Sequence, residues 1–490
     1  MLARFGRKRV LVLERHTTLG GFTHTFTRPG FEWDVGVHYV GQTHPGAPLR
    51  RIFDRLTDGR LGWSPLPDPY DRIELGDRSY PLYRGAEAFV DGLARDFPGS
   101  SDVLRRYLHL VDEVARGLTP YFVSRAFPSP LAALGVPAAF RSASARTTAA
   151  VLSELTTDPE LTAVLTGQWL DHGLPPSRSS FAAHAAVVAF YLDGAGYPIG
   201  GASEIADCLA RVVEAEGGHI AAGAAVSAIL VEDGRAVGVR VGEETYRAPL
   251  VVSAIGARAT FDRLLPASAR PDAWTGALAD VAPSMACFGL YLGMRATDEE
   301  LGLTGTNLWL CPDGDHDRNV ERYATDPEAP FPVVYVSFPS AKDPTFGTRF
   351  PGRSTLDVIA PAHMAQFDAW RGSRWRKRGA DYEATKARVV ERLLDVVLAR
   401  LPQLRGRIAH AELSTPLSTA HFTGHAEGEV YGLEHSPARF ASPLRAKTPV
   451  PGLYLAGADV TMAGVGGASW GGIVGASAIL GPKLVEDLTR

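Results

Sequence analysis

Residues 10–13, Val10-Leu11-Val12-Leu13, form an unbroken apolar run that ends in an acid, Glu14, followed by Arg15. Unbroken apolar runs suit strands buried on both faces, as in a parallel sheet. A carboxylate at the end of such a strand is how a doubly wound fold meets an adenosine ribose, accepting both hydroxyl hydrogens. Many strands end in glutamate without binding anything, so the neighbours matter. Gly20 and Gly21 follow in a polar loop, and glycine lets a backbone pass close to a flat cofactor.

A second segment, GLYLAGADVTMAGVGGASWGG at residues 452–472, runs from a short apolar strand through Gly457-Ala458-Asp459 into a turn and a helix. Backbone amides at such a turn and helix start can hold an anion or a flavin carbonyl. Glycines also gather where a tight turn meets a crowded helix contact, but seven of them in this stretch exceed what turns alone require. A third segment, LVVSAIG at residues 250–256, is a strand ending in Ala-x-Gly. Preceded by a β-meander, that pattern recurs in flavoproteins with two dinucleotide-binding motifs.

The elements that must position these segments are legible in outline. Residues 1–7 read as the tail of a helix with Gly6 near its C-cap, so the chain opens inside a helix-to-strand unit. Helices are predicted over residues 86–97, 103–118, 204–216 and 382–401, the last with a charged, solvated face. Strands at 225–231, 236–241 and 245–248, turned by Asp233-Gly234, form a small antiparallel insert. Residues 284–340 mix short strands with Pro and Gly loops. Residues 121–140 are apolar and broken by prolines. They read as an irregular packed loop or as a membrane-facing lip carrying Phe122, Phe127, Leu131, Leu134 and Phe140.

Composition narrows the class. The 490 residues allow two or three domains or one interleaved fold. A formal net charge of -4 gives no reason to expect a nucleic-acid partner. Cys208, Cys287 and Cys311 are far apart, with no metal-ligand or CxxC spacing, and read as reduced thiols of a cytoplasmic protein. No metal site is expected. The apolar run at 181–192 is too short to span a bilayer and carries His184.

ERHTTLGGFTHTF, EWDVGVHYVG, YPIGGASEIADCL, LVVSAIG and PVPGLYLAGADVTMAGVGGASWGG occur in this order. In that order the chain resembles the FAD-dependent retinol saturases, with carotenoid isomerases and phytoene desaturases as wider relatives. GWSPLPDPYDRIEL and SPLRAKTPVPGLYL favour the saturase-like branch. The resemblance implies FAD, with NAD(P)H as a candidate electron donor, and hydrogen transfer to or from a C=C bond of a conjugated polyene lipid. Saturation is the first expectation, and isomerisation or desaturation the second. A rival of another class is a non-catalytic lipid-binding remnant unable to hold FAD. Carried over by position, Glu14 binds the adenosine ribose and Arg15 lies near the pyrophosphate. Gly20 and Gly21 let the chain pass the flavin, and Val226 contacts the adenine region. Gly457, Asp459, Gly466 and Gly467 line the flavin end. His38, Tyr39 and His435 are catalytic candidates beside the ring; each is also an ordinary choice for a hydrogen-bonded structural side chain.

The resemblance implies an α/β protein with a doubly wound, Rossmann-like FAD domain at residues 1–53, 193–257 and 414–490. A mixed α+β substrate domain is expected at 54–192 and 258–413. One departure stands at the front. A GxGxxG loop normally precedes the ribose acid by about 20 residues, yet thirteen residues precede Glu14 and none forms that loop. The expectation is that the first strand and its Gly-rich loop are missing. A water-insoluble polyene further implies a protein meeting the inner face of a membrane peripherally.

Overall fold

Every residue of the strand Ala286–Met294 is buried, and the reason is that both faces of its sheet are covered. The computed structural model describes residues 1–127 and 135–489. In it this strand belongs to a seven-stranded mixed sheet. The order across the sheet is Ile408–Ser414, Ala286–Met294, Ser354–Ala362, Val334–Ser337, Asn307–Cys311, Asp71–Leu75, Arg78–Leu82. Successive side chains of a strand point to opposite faces. Phe288, Leu290, Leu292 and Met294 therefore join Leu356 and Val358 in one cluster, with Val389, Leu393 and Val397 of the helix Ala380–Arg400.

The other face carries two rows of cross-strand neighbours. Gly289, Ile359, Tyr335, Trp309 and Ile73 make an apolar and aromatic row. Two residues along, Tyr291, Asp357 and Ser337 are neighbours, and Asn307 pairs with Asp71. This second row is polar, and Asp71, Asn307, Ser337 and Asp357 are all fully buried.

The strands at the chain ends are short and parallel. Leu11–Glu14 pairs with His219–Ala222, with Glu14 opposite Ala222. Val251–Ser253 pairs with Leu453–Leu455. Among the described residues no strand joins these two pairs, so the parallel sheet consists of two separate pairs. Leu11, Val12, Val252 and Ile255 on these edges are 36–41% exposed, which sets them apart from the other large apolar residues described. The insert expected after residue 224 is a three-stranded antiparallel sheet of Val226–Glu232, Arg235–Val241 and Glu244–Arg247.

Residues 128–134, with Leu131 and Leu134 of the suggested lip, lie outside the described residues. Phe122 and Phe140 of the same stretch are core residues: Phe140 packs against Tyr121 and Phe440, and Phe122 against Trp470. These two rings are therefore not available to a membrane. The apolar run near 181–192 is the buried helix Phe181–Tyr191, whose His184 Nε2 lies 2.7 Å from the Tyr107 hydroxyl. No described helix is long and apolar enough to cross a membrane.

Candidate active site

The two parallel strand pairs and the aromatic row of the large sheet border one cavity of about 2380 Å³. A site for one small ligand is roughly 300–1,000 Å³, so this space has room for a dinucleotide and a second molecule. One wall carries Glu14, Gly21, Val252, Gly457 and the start of the helix Gly464–Leu480. The floor is Cys287, Trp309, Tyr335 and Ile359, one residue from each of four adjacent strands.

Glu14 stands at the carboxyl end of its strand because the chain turns there: Ala224 N–H donates to its carbonyl at 2.8 Å. Its Oε1 accepts the His16 N–H at 2.7 Å, and Oε2 makes no hydrogen bond among the described residues. Arg15 donates to the His421 carbonyl at 3.0 Å, and Arg263 to the Gly424 carbonyl at 2.8 Å. Burial and the nearby Arg15 lower the Arg263 pKa. Two guanidinium groups thus stand close together on the cavity wall, where an anion would relieve their repulsion. Sequence reasoning missed Arg263, which lies in no motif.

Gly20, Gly21, Val226 and Gly457 line the cavity with Glu14 and Arg15. Gly21 has a φ of +58° and nothing within 4 Å of where a Cβ would sit, so its backbone is open to whatever occupies the space. Asp459 also reaches the cavity, but its carboxylate is already engaged. Oδ1 accepts the Leu433 N–H at 2.9 Å and Oδ2 the Ala257 N–H at 2.7 Å, tying three segments together. Gly466 and Gly467 do not line the cavity. A Cβ on Gly467 would stand 2.1 Å from the Met462 carbonyl oxygen, and one on Gly466 would stand 2.8 Å from the Phe190 ring.

The three catalytic candidates separate. His38 lines the cavity, with Nδ1 3.2 Å from Asp357 Oδ2. Burial, helped by Lys342, pushes its pKa down to about 4, so it is neutral at pH 7. His435 is fully buried off the cavity. Its Nε2 accepts the Ala463 N–H at 3.1 Å, and burial together with Arg439 holds its pKa well below the usual value. Tyr39 lies behind the wall, its hydroxyl 3.0 Å from Asp71 Oδ2 and 3.2 Å from Asp171 Oδ2. Asp171 lines the cavity and was not singled out in the sequence, although an acid within the apolar Trp169-Leu170-Asp171 stretch was a usable signal.

A flavin dinucleotide fits these residues. A carboxylate oxygen is free at a strand end, two arginines stand side by side, and an open glycine backbone leads to a helix N-terminus. A model of the flavin-containing amine oxidoreductase family matches residues 1–480. The chain belongs to that family. The flavin-containing amine oxidoreductase family carries FAD, and this member is an FAD-dependent oxidoreductase. The chain is 37% identical to the all-trans-retinol 13,14-reductase of Homo sapiens, over 100% of its own length and 84% of that protein's. It is 26% identical to the neurosporene-forming phytoene desaturase of Cereibacter sphaeroides, over 99% of the chain and 92% of that protein. The fold is shared with cyclohexylamine oxidase from Brevibacterium oxydans IH-35A, with a TM-score of 0.59 and 17% identity over 98% of this chain and 94% of that one.

Proposed function

We propose that this protein adds hydrogen across a C=C bond of a long conjugated lipid, a retinoid- or carotenoid-like polyene. The observation that carries the reading is one continuous space of about 2380 Å³, with a dinucleotide-type wall at one side and a floor of Trp309, Tyr335, Ile359 and Cys287 at the other. Bound flavin supplies hydride transfer. The protein's part is to bind an apolar chain against the aromatic row and to keep water from the reacting carbons. The name of the 37% identical all-trans-retinol 13,14-reductase supports this substrate class. NAD(P)H is the proposed external electron source.

The reverse direction, removal of hydrogen, is the second reading, and the likeness to a phytoene desaturase over 99% of the chain favours it. We place the protein in the cytoplasm, taking its insoluble substrate from a membrane surface; three buried free thiols suit a reducing compartment.

The test is anaerobic. FAD-loaded protein is reduced with dithionite and mixed with all-trans-retinol dispersed in detergent. The expected result is return of the oxidised flavin absorbance within the mixing experiment. Flavin that stays reduced while the polyene remains intact contradicts the proposal.

A further inference from the structure

We infer that Asp171 is the acid that hands a proton to the polyene, held in place by Tyr39 and Asp71; this rests on the polyene-reduction reading above. The argument begins with a shortage of protons. Two carboxyl groups reach the Tyr39 hydroxyl, Asp71 Oδ2 at 3.0 Å and Asp171 Oδ2 at 3.2 Å. The phenol has one proton, so it donates to one carboxyl and accepts from the other, which must hold a proton itself.

The surroundings decide which. Asp71 also accepts from Asn307 Nδ2 at 2.7 Å and from Gln168 Nε2 at 2.6 Å. Behind Asn307 lies Lys342, whose Nζ donates to Asn307 Oδ1, Ser337 Oγ and the His38 carbonyl. Asp171 makes no other side-chain hydrogen bond among the described residues. Burial raises the Asp71 pKa as well, but its extra donors from Asn307 and Gln168 make it the better stabilised carboxylate of the two, so the donors run from Asp171 to Tyr39 to Asp71. The titratable groups around Asp171 are Asp71 and the phenols of Tyr39, Tyr70, Tyr191, Tyr335 and Tyr431, and burial keeps all five phenols neutral. Burial, reinforced by the Asp71 charge, keeps the Asp171 carboxyl protonated well above the usual range.

Position then separates the two acids. Asp71 is 0% exposed and behind the wall, whereas Asp171 is half-buried and lines the cavity. Among the other acids lining the cavity, Glu14 has one oxygen on the His16 N–H and one free, Asp459 accepts two backbone N–H groups, and Glu412 and Glu383 face Arg28 and Lys386. The reaction balances as follows. The Asp171 O–H would give a proton to one alkene carbon, while the hydride for the other would be supplied by bound reduced flavin. The π bond is replaced by two C–H bonds, the flavin is oxidised by two electrons, and the Asp171 carboxylate regains its proton from water.

The experiment compares FAD-loaded wild type with Asp171→Asn and Asp71→Asn. The expected infrared result is a protonated-carboxyl C=O band in the wild type that moves in deuterated water and is lost in Asp171→Asn. With flavin binding retained, oxidation of reduced flavin by all-trans-retinol should slow about 10²–10⁴-fold in Asp171→Asn, the range for a general acid. Asp71→Asn removes the charge that raises the Asp171 pKa, so the alkaline limb of the rate should move to lower pH. An unchanged band, a wild-type rate in Asp171→Asn, or an unmoved limb in Asp71→Asn overturns the assignment. Should Asp171→Asn not fold, the Asp71→Asn limb decides alone. Wild type that shows the band but leaves the polyene unreduced overturns the polyene reading instead.

Discussion

Glu14 accepts the backbone N–H of His16 at 2.7 Å through one carboxylate oxygen and keeps the other unbonded among the described residues. The turn after the strand thus fixes the carboxylate's direction and leaves an acceptor for a ribose. Glu14→Ala should lose a charge-assisted hydrogen bond of about 1.5–3 kcal/mol. FAD affinity, read by fluorescence titration, should fall roughly ten- to a hundred-fold, with the circular dichroism spectrum unchanged. Unaltered affinity removes Glu14 from the site.

Asp459 has the opposite character, since both of its oxygens serve the protein. It joins Ala257, Leu433 and the turn at Gly457, and the buried Arg439 lies 3.8 Å away. Asp459→Ala should cost about 3–5 kcal/mol, the range for removing one partner of a buried charge pair. Urea unfolding of the FAD-free protein reads this directly. A variant as stable as the wild type makes Asp459 a ligand contact rather than a clamp.

Asp34 predicts a pH dependence. It accepts from the Tyr197 hydroxyl and from the Ala202 N–H, and burial, with Asp357 nearby, raises its pKa to about 7. An unfolded aspartate titrates near 3.9, approximately. Between those values the folded state binds more protons than the unfolded state, so the contribution of Asp34 to stability falls as pH rises through that window. Asn cannot ionise and keeps an acceptor for Ala202. Relative to wild type, Asp34→Asn should therefore gain stability between about pH 4 and about pH 7 and gain no more above it. An equal difference in urea midpoint at both ends means that Asp34 does not titrate in this way.

The strand acid, the insert and the glycine-dense turn were legible because each is written in consecutive residues. The number of glycines did not say what each one approaches. Gly21 opens onto the cavity, whereas Gly467 makes room for the Met462 carbonyl, and both look alike in sequence. The polar row of Asp71, Asn307, Ser337 and Asp357 could not be read at all. Its members come from four strands, and strand register alone brings them together. Tyr39 was singled out as a group beside the flavin; its hydroxyl reaches Asp171 of the wall and the buried Asp71 behind it.

The direction of hydrogen transfer is tested most directly by product mass. FAD-loaded protein, reduced with dithionite under anaerobic conditions, is given one equivalent of all-trans-retinol, and the extracted lipid is weighed by mass spectrometry. The account predicts a product heavier by two hydrogens, formed in step with flavin oxidation. Lipid recovered at its starting mass, with the flavin still reduced, contradicts it.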